Sequence, residues 1–149
     1  MIETRNYKNT GAYLRELYDA LVKNLHKHLA EQGYAEISPS HGLVFQYLEE
    51  EGSRITLLAA RAGMTKQSMS ALVYQLEDYG YLKRKPDAHD ARAILFRLTA
   101  KGQALRTKAQ NINYQFEQEW KQALGAESYE TFRTMIKKLA EAQTLSNQH

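Results

Sequence analysis

Two groups of side chains in the middle of the chain have the types and the spacing to bind nucleic acid. The first is a run of short or flexible hydrogen-bonding side chains over residues 66–70, Lys-Gln-Ser-Met-Ser. The second is a loop that combines two acids with one arginine, in the pattern Asp87-x-x-Asp90-x-Arg92. Amides, hydroxyls and lysines contact base edges in a major groove, and basic side chains attract the phosphate backbone. Together the two groups predict binding to double-stranded DNA.

The local sequence places the first group at the start of a helix. The pattern predicts a helix that starts near Thr56, a turn at Gly63, and a second helix over about residues 66–79 that stops at Gly80. Gly63 can take the positive φ that a sharp turn between helices requires, and the hydroxyl of Thr65 can cap the second helix. This order of elements is typical of a helix-turn-helix.

The second of these helices has two distinct faces. Apolar residues at i, i+3, i+4 and i+7 form a stripe that must face a core; they are Met69, Leu72, Val73 and Leu76. The opposite face is polar at its N-terminal end, where a helix in a major groove meets base edges. The predicted DNA contacts of this helix are Thr65, Lys66, Gln67, Ser68, Ser70 and Ala71. On an isolated helix such a face would be merely solvated, but the flanking turn and hairpin favour DNA binding.

A charged hairpin follows the second helix. Residues 82–85 and 94–98 are β-prone runs separated by a polar loop. The pattern Asp87-x-x-Asp90-x-Arg92, followed by an apolar strand and Leu98-Thr99-x-x-Gly102, resembles the wing signature of the MarR family of bacterial transcriptional regulators. A generic hairpin has no reason to combine two acids, one arginine and a downstream Leu-Thr-x-x-Gly.

The resemblance extends over nearly the whole chain. It implies a mainly α fold, with a winged helix-turn-helix head and a helical dimerisation region formed by the N- and C-terminal helices. We assign residues 35–99 to the DNA-binding region and residues 1–34 and 100–149 to dimerisation, as one compact unit without a linker. A two-fold homodimer is implied as well.

The resemblance also implies roles for residues of the hairpin. Arg92 matches the wing arginine that enters the minor groove, and Asp90 matches the acid that orients it. Many members carry a second arginine where this chain has Ala91, so wing affinity is weaker or His89 substitutes in part. The alternative is an Asp90–Arg92 salt bridge that only shapes the hairpin. The predicted wing contacts are Lys83, Arg84, Lys85, His89, Asp90 and Arg92.

The distribution of charge supports a DNA-binding middle. The formal net charge is only +3, but residues 54–108 contain eleven Lys and Arg against four acids, while the remainder contains nine basic and thirteen acidic residues. A positive middle between negative ends attracts a phosphate backbone with one surface. The terminal regions instead carry long apolar stripes that two copies could bury together; they are Leu14, Leu17, Leu21, Leu25 and Leu29, then Leu105, Ile112, Phe116 and Trp120, then Tyr129, Phe132, Ile136 and Leu139.

Composition excludes several classes of protein. The absence of cysteine excludes disulfides and thiol-based oxidant sensing. No run of about 18 apolar residues occurs and the N-terminus lacks a signal-peptide pattern, so we predict a cytoplasmic protein without a membrane partner. No Gly-rich phosphate loop or G-x-S-x-G motif is present, and we predict no enzyme activity and no cofactor.

Histidines raise the alternative of a metal-responsive regulator on the same fold. His41 could join Glu or His side chains from the first helix, but His26 and His28 point about 200° apart on a helix and cannot easily share one ion. We therefore predict no metal ligand; His89 lies in the wing and His149 in the tail. A second alternative is a helical interaction module whose basic patch does not bind DNA.

A small aromatic effector is predicted instead of a metal. Family members commonly hold aromatic ligands between the dimer helices and the DNA-binding head, and tyrosine suits such a cleft because it offers an apolar face and a polar tip. The same side chains could equally be core packing. The predicted ligand-binding residues are Arg15, Tyr18, His41, Phe45 and Tyr47. The chain is thus interpreted as a homodimeric regulator, a repressor released by such a ligand.

Overall fold

The computed structural model describes residues 7–147, which form six helices and one two-stranded antiparallel sheet. Two predictions concern residues outside this range. They are the lack of a signal-peptide pattern, which includes residues 1–6, and the placement of His149 in the tail. The elements are α1 (Thr10–Glu31), α2 (Pro39–Tyr47), α3 (Ile55–Ala62), α4 (Lys66–Asp78), β1 (Leu82–Pro86), β2 (Ile94–Leu98), α5 (Ala100–Leu124) and α6 (Ala126–Ser146). The predicted mainly α, winged helix-turn-helix fold is confirmed.

The helix-turn-helix consists of α3 and α4, joined where the sequence predicts. Gly63 adopts φ 65° and ψ 34°, the left-handed conformation that ends α3 without a steric penalty for glycine. Thr65 begins α4, and its hydroxyl accepts a hydrogen bond from the Ser68 N–H at 3.1 Å. α3 starts at Ile55, one residue before the predicted start, and α4 ends at Asp78.

The core of the head lies under α4. Met69, Val73 and Leu76 are fully buried, and Leu72 is half-buried beside them, as the apolar spacing predicts. They belong to one core cluster with side chains from α2, α3 and the sheet; these include Val44, Leu58 and Phe96. Because this stripe is buried, the polar face of α4 is turned toward solvent.

The sheet is a hairpin with regular register. Leu82 pairs with Leu98, and Pro86 pairs with Ile94 at the far end. Ser53, just before α3, adds a bridge in which its N–H and C=O both bond Phe96 at 2.9 Å. The hairpin is thereby fixed to the start of the helix-turn-helix along one edge. We call β1, the loop of residues 87–93 and β2 the wing.

The Leu-Thr-x-x-Gly motif forms the junction between the wing and α5. The Thr99 N–H donates to the Tyr81 carbonyl at 3.0 Å, and the Thr99 hydroxyl donates to the Gly80 carbonyl at 2.6 Å. The same hydroxyl accepts from the Gly102 N–H at 3.0 Å and so caps α5. A Cβ at Gly102 would stand 2.1 Å from the Tyr81 carbonyl oxygen, so only glycine allows α5 to lie directly against this backbone.

The contacts of the described residues divide them into two compact units, one that ends at Ile112 and one that begins at Asn113. The first unit contains α1 and the head, and the organisation as one compact unit without a linker stays a prediction. The second contains an aromatic cluster in which Phe116 and Trp120 contact each other edge-on at 5.7 Å and Trp120 contacts Phe132 at 6.5 Å. The assignment of residues 35–99 to DNA binding and of the terminal helices to dimerisation stays a prediction.

Within residues 7–147, no helix is long and apolar enough to cross a membrane.

Replacement of Gly102 by alanine is expected to destabilise the protein by about 2 kcal/mol or more, because the new methyl overlaps a backbone oxygen that cannot move freely. The control is Gly42→Ala in α2, where an added Cβ meets nothing within 4 Å and alanine favours the helix by up to about 1 kcal/mol. Thermal unfolding followed by circular dichroism measures both. A melting temperature for Gly102→Ala equal to that of the unaltered protein would contradict this account of the junction.

Candidate nucleic-acid interface

The N-terminal end of α4 presents the predicted polar face to solvent. Lys66, Gln67 and Ala71 are exposed, and Ser70 is half-buried. Thr65 and Ser68 are exposed as well, and the Thr65 hydroxyl donates to the Ser68 hydroxyl at 2.9 Å while it caps the helix. The structure therefore brings the six predicted residues of α4 together on one surface, and their contact with DNA stays a prediction.

Tyr74, which is not among the predicted contacts, extends this surface by one helical turn. The residue is 44% exposed and follows Ala71 at the spacing of one turn. The Arg84 guanidinium lies 5.3 Å from the centre of the Tyr74 ring and 5.4 Å from that of Phe96. The β1 strand is thus joined to α4 through an arginine on aromatic faces.

Arg84 also forms the fork-shaped ion pair that arginine makes with a carboxylate. Its Nε donates to Glu77 Oε2 at 2.8 Å and its Nη2 donates to Glu77 Oε1 at 3.0 Å. These bonds raise the pKa of Arg84 above its ordinary value. A residue predicted as a wing contact with DNA therefore also fixes the wing to α4. Lys83 and Lys85 alternate with it along the strand, the first exposed and the second half-buried.

The spacing of the acids in the wing has a local cause. Asp87 Oδ1 accepts a hydrogen bond from the His89 N–H at 2.9 Å, and Asp90 Oδ1 accepts from the Arg92 N–H at 3.0 Å. Each aspartate thus bonds the backbone two residues ahead, the turn that aspartate side chains favour. Backbone bonds close the loop, from the Asp87 N–H to the Ala93 carbonyl at 3.1 Å and from the Ala93 N–H to the Asp90 carbonyl at 3.0 Å. His89 and Arg92 are exposed on this loop.

The second oxygen of each aspartate faces Arg54, which precedes α3. Asp87 Oδ2 accepts from Arg54 Nε at 3.0 Å and from Nη2 at 2.6 Å, and Asp90 Oδ2 lies 3.9 Å from Nη2. The hydrogen bond from the His89 N–H is the main cause that holds the pKa of Asp87 below its ordinary value, and the bonds from the Arg54 guanidinium act in the same direction. Asp90 therefore bonds the backbone of Arg92, and its predicted role in orienting the Arg92 side chain stays a prediction. Among the described residues, the ion pair of Asp90 is made with Arg54 and not with Arg92, so the alternative of an Asp90–Arg92 salt bridge is wrong.

Two comparisons of sequence agree with this arrangement. Residues 35–93 match the sequence profile of the MarR family. The transcriptional regulator HosA of Escherichia coli O127:H6 is 26% identical over 101 residues, which cover 68% of this chain and 75% of HosA. The chain is therefore similar to the MarR family, whose members are transcriptional regulators and not enzymes, in agreement with the resemblance of the wing.

Three solved structures share the fold of this chain. The reduced form of MarR from Escherichia coli superposes with a TM-score of 0.74 at 18% identity, over 91% of this chain and 98% of that one. The Mycobacterium tuberculosis MarR family protein Rv2887, in complex with salicylic acid, gives 0.66 at 24% identity over 90% and 98%. The transcriptional repressor CouR, bound to a 23-mer DNA duplex, gives 0.68 at 19% identity over 89% and 92%.

The residues predicted to bind an effector occupy different environments in the structure. Arg15 and Tyr18 are exposed on α1, and the Arg15 guanidinium lies 3.8 Å from Asp19. Phe45 and Tyr47 are half-buried at the end of α2 and pack against the core of the head. His41 is only 3% exposed, so it lies inside the head. Their joint role in ligand binding stays a prediction.

Both ring nitrogens of His41 are bonded within the head. Nδ1 accepts from the Ser38 N–H at 2.9 Å, which leaves Nε2 as the N–H that donates to Gln75 Oε1 at 2.9 Å. His41 thereby stabilises the start of α2 and joins α2 to α4. His26 and His28 contact the carbonyls of Ile37 and Asn24, at 3.1 and 2.8 Å. Over residues 7–147, no group of three or more His, Cys, Asp or Glu residues converges as a metal site would require.

Proposed function

We propose that this regulator is a homodimeric repressor that binds a pseudo-palindromic operator and is released from it by a small aromatic ligand. The observation that carries the DNA-binding part is the pairing of two exposed groups on one folded head. The polar start of α4 faces solvent, and the wing presents Arg92 on a closed loop. A helix of this kind contacts base edges, while the arginine of the wing contacts the backbone and the minor groove.

Electrostatics supports the same surface. Eleven Lys and Arg lie between Arg54 and Lys108, and two of them, Arg54 and Arg84, form ion pairs with acids of the wing and of α4. The pairing leaves the exposed Lys66, Lys83 and Arg92 as charges available to phosphates. CouR, of similar fold, has been solved on a DNA duplex, which supports the same mode of binding for this chain.

Exposed apolar side chains support a dimer. On α6, Leu139 and Leu145 are each 64% exposed and Met135 is 53% exposed. On α1, Leu14 is 47% and Tyr18 is 61% exposed. A monomer rarely leaves so many large apolar side chains in water. Burial of these helices against a second copy would place two recognition helices about a two-fold axis, and that symmetry requires a pseudo-palindromic site.

The ligand part of the proposal is supported by an aromatic and basic set near the head. Arg15 and Tyr18 on α1 offer a guanidinium and a phenol, and Phe45 and Tyr47 offer half-buried rings on α2. Rv2887, of the same family, has been solved with salicylic acid. A carboxylate would pair with the guanidinium and its ring would pack on the aromatic faces. His41 takes part only if the ligand displaces one of its present partners, Ser38 or Gln75.

Arg92→Ala is expected to weaken binding to every duplex, because it removes one charge directed at a phosphate. The slope of log K against log salt concentration should fall by about one, the change for one lost phosphate contact. Gln67→Ala is expected to change which base is preferred at one position, by about 1 to 3 kcal/mol, with little effect on the salt slope. Fluorescence anisotropy at several salt concentrations measures both. Lys137→Ala on α6 removes the same charge outside the head and should change neither quantity. An unchanged affinity and salt slope for Arg92→Ala would remove the wing from the interface.

The dimer is expected to give twice the chain mass of 17.1 kDa by light scattering, and a footprint of two half-sites about 10 base pairs apart. Leu139→Glu should produce a monomer that still folds, because this side chain is 64% exposed in the single chain. Thr144→Glu, a charge added elsewhere on α6, serves as a comparison. A monomeric unaltered protein at micromolar concentration, or protection of one asymmetric half-site, would contradict the proposal.

Salicylate and 4-hydroxybenzoate are expected to lower operator affinity by about 5- to 150-fold, the usual range of coupling between two sites. Cyclohexanecarboxylate has the same charge without the aromatic ring and should have a smaller effect. Calorimetric titration of the free dimer, paired with operator binding, separates occupancy from release. Binding that leaves operator affinity unchanged would reject the regulatory role, and no binding by a broad panel of aromatic acids would return Tyr18, Phe45 and Tyr47 to structural roles.

A further inference from the structure

Arg54 connects two parts of the head that are far apart in sequence. It stands immediately before α3, where its backbone carbonyl accepts the first N–H groups of that helix, and its guanidinium reaches the wing loop 33 residues away. Two of its nitrogens donate to one oxygen of Asp87 at 3.0 and 2.6 Å. The Asp87 side chain is only 9% exposed, whereas that of Arg54 is 43% exposed.

Each carboxylate that Arg54 contacts also holds the wing backbone. One oxygen of Asp87 accepts the His89 N–H and the other accepts Arg54. One oxygen of Asp90 accepts the Arg92 N–H and the other faces Arg54 at 3.9 Å. The Arg54 guanidinium, which is not part of the loop, therefore faces the second oxygen of each aspartate whose first oxygen closes a turn. Without it, two carboxylates would stand uncompensated on the surface that approaches phosphates.

We propose that Arg54 is a positioning residue for DNA binding, which holds Asp87 and Asp90 so that the wing loop presents Arg92 in one orientation. The inference rests on the proposed function, in which Arg92 contacts DNA. A loop that is already ordered loses little conformational entropy when it binds, and this smaller cost raises the affinity for DNA. A charged and forked hydrogen bond supplies this order with more geometric precision than a lysine could.

The proposal predicts that removal of an acidic charge lowers DNA affinity, the opposite of the effect expected from charge alone. Removal of an acid near a phosphate backbone should strengthen DNA binding by simple electrostatics. If Asp87 acts by ordering the loop, its isosteric replacement by asparagine should weaken binding instead. Glu49→Gln is the matched control, because Glu49 pairs with Arg61 at 2.7 Å in the same head without contacting the wing. It should leave affinity equal or slightly higher.

The experiment measures duplex affinity by fluorescence anisotropy over a series of salt concentrations, with the operator selected by the unaltered protein. Asp87→Asn and Arg54→Met are each expected to lower affinity on the order of tenfold, the scale of a lost charged hydrogen bond. Arg54→Lys should recover little of the loss, since it keeps the charge but not the fork. Because the Asp87 side chain is only 9% exposed, loss of its partner also lowers stability, so affinity is measured at a temperature where thermal unfolding shows every variant to be folded.

A cycle with Arg92→Ala separates positioning from direct contact. If Arg54 acts through the wing, Arg54→Met and Asp87→Asn should lower affinity far less in a chain that already carries Arg92→Ala. Tighter binding by Asp87→Asn would overturn the inference. A second result would also overturn it: Arg54→Met lowers affinity by the same factor with and without Arg92→Ala, and further reduces the slope of log affinity against log salt concentration. Arg54 would then be a phosphate contact itself. Failure of the unaltered protein to bind any duplex would overturn the proposed function itself, and this outcome is distinct from the other two.

Discussion

The backbone at Gly80 and Tyr81 is the constraint on which the geometry of the head depends. The Tyr81 N–H bonds the Leu76 carbonyl at 2.9 Å at the end of α4, and the Tyr81 carbonyl accepts the Thr99 N–H at 3.0 Å. Burial of the Tyr81 ring, and then the hydrogen bond that its hydroxyl donates to Glu36, raise the pKa of Tyr81. The helix α4, the wing and α5 thus meet at one short segment, and Gly102 allows the closest approach.

From this joint outward, the wing relies on charged contacts more than on packing. Leu82 and Phe96 are buried near the joint, but no residue of the loop 87–93 is fully buried. Arg84 joins the middle of the hairpin to Glu77 of α4, and Arg54 binds the loop at Asp87. The two arginine side chains are about half exposed, whereas the Asp87 side chain is only 9% exposed. The consequence of these ion pairs is local order in the loop that carries Arg92, the residue that the proposed function places against DNA.

The sequence predicts those features that depend on neighbours along the chain. The turn at Gly63, the cap at Thr65 and the apolar stripe of α4 follow from local geometry and periodicity, and all are confirmed. The partners of Arg54 and His41 could not be predicted in this way, because they lie 33 and 34 residues away. A period or a spacing carries no information about which distant carboxylate or amide a side chain will reach. The pattern of two acids in the wing was recognised, but its cause, two turns completed by an outside arginine, required the folded contacts.

The same long-range polar contacts determine how a change at α2 can affect α4. Arg106 of α5 donates to the carbonyls of Phe45 and Leu48 at 3.3 and 3.2 Å, which satisfies the C-terminal end of α2. At the other end of α2, His41 bonds Gln75 of α4. α2 is therefore held between α5 and α4. A displacement of α2 relative to α4 must break or re-form a hydrogen bond of a buried imidazole, and an unpaired buried polar group is costly. This cost favours a few discrete arrangements of the head over continuous deformation.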